Sequence, residues 1–197
     1  MTPKEKDLIE RMRACQICSE GMHPLPHPPN PVFQLHPDAS VLICGQAPGN
    51  LVNQTGRPFT DPSGDRLRKW MGIGPEIFYD ETRVAILPMG FCFPGYTANG
   101  SDKPPRKECA AEWREQALTI LPNIRVSLLI GAYAQKWHLR KHYAGSVTQT
   151  VENWRQFAPD SFVLPHPSWR NNAWLNRHPW FEDDLLPELK NAVHSAL

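Results

Sequence analysis

The sequence lacks a charge imbalance: 21 Lys and Arg against 20 Asp and Glu leave a formal net charge of +1. That argues against a strongly basic nucleic-acid binder. Any contact with a polyanion has to come from a local patch or from neutral donors such as backbone N–H groups. Long hydrophobic runs are missing as well. No stretch approaches the ~20 apolar residues of a bilayer-spanning helix. No secretory pattern is visible in Met1-Thr2-Pro3-Lys4-Glu5-Lys6, which runs straight into a charged amphipathic stretch. The expectation is a cytoplasmic monomer with no membrane contact. Internal repeats and low-complexity tails are absent. Neither Gly-x-x-x-x-Gly-Lys-Ser/Thr nor Gly-x-Gly-x-x-Gly occurs, which disfavours nucleotide hydrolysis and dinucleotide binding. Cysteine is sparse, at five residues. In a reducing compartment that count points to metal ligands or buried thiols and away from a disulfide framework.

What is present fits one domain over residues 1–197, with 41% hydrophobic and 21% charged residues. The 21 prolines imply many loops, which suits a site built from loops on a rigid sheet. Leu8, Ile9, Met12 and Cys15 fall at helical spacing and predict a helix over residues 3–15. Residues 21–37 read as a proline- and histidine-rich loop, with a short edge strand at Pro31-Val32-Phe33-Gln34. Val41-Leu42-Ile43-Cys44 is a buried strand that stops at Gly45-Gln46-Ala47-Pro48-Gly49. A polar loop over 50–59 follows, and a helix opens at Asp61-Pro62-Ser63, with Asp61 a candidate cap. Further strands are expected at 84–87, 126–131 and 161–164. Helices are expected at 106–121, from Ala132, and at 181–194. Strands alternating with helices predict an α/β fold: a three-layer α/β/α arrangement around a central, mostly parallel four-stranded sheet.

In such sheets the ligand site lies beyond the carboxyl ends of the strands. Those ends carry 45–49, 88–92, Gly131 and Pro165-His166-Pro167-Ser168. Taken alone, each motif has a plain structural explanation. The glycine-rich turn can be a simple turn, or it can aim N–H groups at an acceptor. Phe59, in Thr55-Gly56-Arg57-Pro58-Phe59, can be core or can stack on a flat base. His166 can be a loop histidine or a donor placed at a developing negative charge.

The cysteines form Cys15-x-x-Cys18 and the distant pair Cys92 and Cys109, while Cys44 falls inside a predicted buried strand. Four thiolates from two segments suit a four-iron cluster or a structural zinc, and spacing does not choose between them. His23, His27 and His36 show no metal spacing.

Together, in this order and at these separations, the three strand-end motifs resemble the uracil-DNA glycosylase superfamily, most closely its iron–sulfur (family 4-like) branch. The resemblance covers residues 15–181. It implies an N-glycosylase that hydrolyses the glycosidic bond of uracil flipped out of DNA, leaving an abasic site. It implies that Gly45, Gln46 and Ala47 hold the base, that Phe59 stacks on it, and that His166 hydrogen-bonds its O2. Ser168, Trp169, Arg170 and Asn171 would enter the minor groove, with Trp169 and Arg170 as wedge residues. Cys15, Cys18, Cys92 and Cys109 match the ligands of a 4Fe-4S cluster, which the resemblance favours over zinc.

The sequence departs from that family in two places. Many members carry an acid in the first motif, where Gln46 and Ala47 stand here. Many carry an asparagine that reads the base edge, where Pro88 stands. Asn50, Asn53 and Asp61 are nearby substitutes, so the expected catalytic set is His166, Gln46 and Asp61. Another deaminated base, such as hypoxanthine or xanthine, and a non-catalytic DNA-binding member of the same fold stay open as alternatives.

Overall fold

The computed structural model describes residues 1–19 and 24–197. The start of the expected proline-rich loop, with Gly21 and His23, lies outside the described residues. Four strands build the centre: β1 (Val41–Cys44), β2 (Val84–Ile86), β3 (Val126–Ile130) and β4 (Ser161–Leu164). They pair in the order β2-β1-β3-β4, and all three pairings are parallel. Every residue of β1 and β2 is buried. This is why they read as unbroken apolar runs: a parallel strand covered on both faces has no solvent side to alternate with.

Around the sheet lie α1 (Pro3–Arg13), α2 (Asn50–Thr55), α3 (Pro62–Met71), α4 (Pro75–Phe78) and α5 (Lys107–Leu118). They are followed by α6 (Gly131–Leu139), α7 (Val147–Glu152), α8 (Asn172–Arg177) and α9 (Leu186–Ala196). Helix α1 opens with a capping box in which Thr2 and Glu5 satisfy each other's backbone N–H groups. Helix α3 opens on Asp61, whose Oδ2 accepts from Ser63 N at 3.3 Å and Ser63 Oγ at 2.6 Å. A π-helical turn at Phe181–Leu185 leads into α9. There the fully buried Phe181 meets Trp70 of α3 edge-on at 4.9 Å and Trp174 of α8 at 5.7 Å.

Two expectations need correction. The polar loop over 50–59 contains α2, whose single buried side chain, Val52, leaves no apolar period to detect. The edge strand at 31–34 shrinks to one antiparallel bridge, Gln34 to Ile86. Gln34 instead uses its buried side chain, donating to the carbonyls of Phe78 and Val84 at 3.0 and 2.5 Å.

The topology fixes where a ligand can sit. From the inner strand β1 the chain passes to β2 on one side, then crosses back to β3 on the other. The connections therefore diverge at the carboxyl end of β1, the crevice at which open α/β sheets bind ligands.

Candidate active site

A cavity of about 510 Å³ opens at that crevice. It is lined by the whole turn 45–49, by Phe59 and Asp61, by Pro88 after β2, and by His166 and Arg170 after β4. The turn continues the sheet's hydrogen bonding past the strand: the carbonyls of Gly45 and Gln46 accept from Met89 N at 2.9 Å and Gly90 N at 3.0 Å. Gly45 is buried, and a Cβ on it would lie 3.8 Å from Phe59 Cζ. The glycine and the ring tip therefore face each other across the cavity wall.

Phe59 is held in an unusual backbone state. Its φ is +53°, in the left-handed region that non-glycine residues rarely occupy. Such a residue carries a strain on the order of 1–3 kcal/mol, kept only where the surroundings over-determine it. They do so here. The Phe59 carbonyl accepts from Tyr79 Oη at 3.0 Å and from Arg68 Nη1 at 3.3 Å. The Phe59 ring meets Phe78 edge-on at 6.0 Å, and the Arg57 guanidinium lies 3.5 Å over the Tyr79 ring.

His166 is an exposed residue of the loop after β4, and it lines the cavity. Desolvation by the surrounding protein lowers its pKa, against the carboxylates of Asp61 and Asp102, which pull upward; Arg170 adds to the lowering. The neutral imidazole that results has one N–H to donate. The strand end beneath it is braced by the fully buried Gln135, whose Nε2 donates to Leu129 O at 3.2 Å and Leu164 O at 3.0 Å, bridging β3 and β4.

The loop after His166 is pinned from both sides. Asn171 Nδ2 donates to the His166 carbonyl at 2.6 Å, and Arg66 Nη1 donates to the Ser168 carbonyl at 3.0 Å. Asn171 thus has a structural partner inside its own loop. Trp169 is 72% exposed, the most open of the large apolar side chains among the described residues. Trp169 is thus presented to solvent on a hydrogen-bonded loop beside the cavity.

Pro88 offers the cavity no side-chain donor. Its carbonyl and that of Leu87 accept from Arg114 Nη1 at 3.0 and 2.6 Å. Arg114 is 1% exposed, and its other terminal nitrogen reaches Cys44 Sγ at 2.8 Å and His138 Nε2 at 2.6 Å. Cys44 is thereby a buried core thiol, as its strand position implies.

Sequence reasoning missed Arg68, Tyr79, Gly64, Gln135 and Asp102. The last lines the cavity from the loop after β2. Gln46, expected to serve the base, donates from Nε2 to Lys103 O at 3.4 Å in that same loop. Asn50 lines the cavity. Asn53 serves as a backbone acceptor for Asn30 Nδ2 at 2.7 Å.

A second, smaller cavity is lined by Cys15, Cys18, Cys92 and Cys109 together with Gly90, Phe91 and Arg106. All four are free thiols. Phe91 N donates to Cys109 Sγ at 3.3 Å, and Trp113 Nε1 donates to Cys15 Sγ at 3.2 Å. Burial, reinforced by the neighbouring cysteines, pushes the Cys92 and Cys109 thiols up to about 12. Among the described residues, no three His, Cys, Asp or Glu side chains converge so as to hold a metal ion. His27 stacks on Phe93 at 5.6 Å with Nε2 2.9 Å from its carbonyl, a structural role.

The family model described as "Uracil DNA glycosylase superfamily" matches residues 33–190.

Proposed function

The chain belongs to the uracil-DNA glycosylase superfamily, and on that premise we propose that it excises uracil, or a related deaminated base, from DNA and leaves an abasic site. One observation carries the reading: the turn 45–49 and the nearby Phe59 line one cavity with His166 from the far end of the sheet's last strand. A base inside a duplex cannot reach such a cavity, so the nucleotide must be extruded first. Trp169, exposed on the pinned loop, is the wedge that fills the gap. Phe59 stacks on the base, a contact worth about 1–3 kcal/mol. Breaking the glycosidic bond sends negative charge onto the base. The neutral His166 donates to that charge, and one such donor typically supplies about 10²–10³ in rate.

We further assign Cys15, Cys18, Cys92 and Cys109 as the ligands of a 4Fe-4S cluster. The donor set fits: four thiols line one small cavity, and four thiolates are the ligand set of such a cluster. The choice of cluster over zinc rests on the resemblance of these four positions to the iron–sulfur branch. Bound there, a cluster would tie the segment after α1 to the loop after β2 and to the first turn of α5.

The test uses purified protein and a uracil-containing oligonucleotide, with alkali to cleave abasic sites. Strand scission at the uracil is expected. A protein that binds the DNA but releases no base would support instead a non-catalytic member of the fold, a reading favoured by Pro88 at the position of the base-reading asparagine.

A further inference from the structure

The first motif has no acid, yet a carboxylate stands beside it. Asp102 lines the same cavity as Phe59 and His166. Its loop folds back as a small hairpin: Tyr96 bridges Asp102, Lys103 N donates to Gly95 O at 2.9 Å, and Thr97 N donates to Ser101 O at 2.7 Å. Gln46 then fastens that hairpin to the turn through the Lys103 carbonyl. The result places Asp102 Oδ2 3.9 Å from where a Gly49 Cβ would be. The carboxylate therefore sits against the glycine-rich turn, delivered by a different loop.

Asp61 is the competing acid in the cavity. Both of its hydrogen bonds fall on Oδ2 and serve the start of α3, so it is committed as a cap. No described side chain hydrogen-bonds the Asp102 carboxylate; its neighbours Arg170, His166 and Asp61 act on it through charge alone.

We propose that Asp102 is the catalytic base of this site, taking the proton from the water that attacks the sugar. The inference rests on the glycosylase reading above. In the step, the bond from sugar C1′ to the base nitrogen breaks and its electron pair leaves with the base. The water oxygen bonds to C1′, one water proton passes to Asp102, and solvent protonates the departed base anion. Asp102 then returns its proton to solvent. Burial raises the Asp102 pKa, helped by Asp61 and opposed by Arg170 and His166. A base must be ionised to act, so the rate falls as pH drops through that raised value.

The experiment measures single-turnover base release against pH for the wild type, Asp102→Asn and Asp102→Glu, with DNA affinity measured alongside. Asp102→Asn is expected to lose about a hundredfold or more in rate, the usual scale for a general base, with affinity nearly unchanged and the acid limb abolished. Asp102→Glu, which keeps a carboxylate, is expected to retain more activity than the Asn variant and to keep an acid limb. Wild-type rates in Asp102→Asn, or an unaltered acid limb in it, would overturn the assignment while leaving the glycosylase reading intact. No release of any deaminated base by the wild type would overturn both.

Discussion

Gly64 lies so close beneath Phe59 that a Cβ on it would overlap the Phe59 carbonyl oxygen and stand 2.7 Å from the Phe59 carbonyl carbon. The glycine is inside α3, where alanine would ordinarily gain about 1 kcal/mol in helix propensity. The clash reverses that sign, because the obstructing atoms are backbone. Gly64→Ala is expected to destabilise the protein by about 1–3 kcal/mol, the usual cost of overpacking. It should also displace the Phe59 ring and weaken base release, as Phe59→Ala is expected to do directly. Denaturant melts and single-turnover assays on the two variants check this. A Gly64→Ala protein more stable than wild type would show that Phe59 is not held as described.

His138 sets an acid limit on the fold. Burial first, and then the Arg114 charge, lower its pKa to about 3. The unfolded chain takes up that proton near pH 6.5, while the folded chain resists until about pH 3. Between those values the unfolded state holds more protons, so stability is full above pH 6.5 and is lost as pH falls, at up to about 1.4 kcal/mol per pH unit. His138→Gln keeps an acceptor for Arg114 and removes the titration. Urea midpoints between pH 7 and pH 4.5 should slope less steeply in the variant than in wild type.

The parts of this protein legible in its sequence are those where local pattern and tertiary structure agree. The strands were readable because a parallel sheet buries both faces, so Val41-Leu42-Ile43-Cys44 has no polar partner to confuse it. The Asp61 cap was readable because Asp-Pro-Ser specifies a helix start. What escaped depends on contacts far along the chain. Asp102 belongs to no motif, and its place beside Gly49 follows from a hairpin fastened through Gln46 to Lys103. Gly64 looks like a weak helix residue until the Phe59 carbonyl is seen above it. Arg114 reads as a surface charge on an amphipathic helix, yet it is buried and spans Leu87, Pro88, Cys44 and His138.

The cysteine cavity gives a prediction independent of DNA. Protein purified without oxygen is expected to be brown, with about four irons and four sulfides per chain, the content of one four-iron cluster. Cys109→Ser removes one of the four lining thiols and should bleach the colour. Cys44→Ser should leave it, since Cys44 faces Arg114 and lies outside that cavity. A colourless protein with one zinc per chain would refute the cluster and leave the glycosylase reading standing.

On the proposed function, Trp169→Ala separates binding the flipped base from flipping it. The residue is 72% exposed, so Trp169→Ala removes little buried surface, and stability should stay within about 0.5 kcal/mol of wild type. The cavity itself loses nothing, since Trp169 is not among its lining residues. What disappears is the group proposed to replace a nucleotide in the stack. Unstacking and unpairing cost a few kcal/mol in a duplex and far less in a single strand. Release from double-stranded uracil DNA should therefore drop by about tenfold or more, a loss of about 1.4 kcal/mol or more in the barrier, while release from a single strand changes little. Equal losses on both substrates would mean that Trp169 contributes general affinity and that another group opens the duplex.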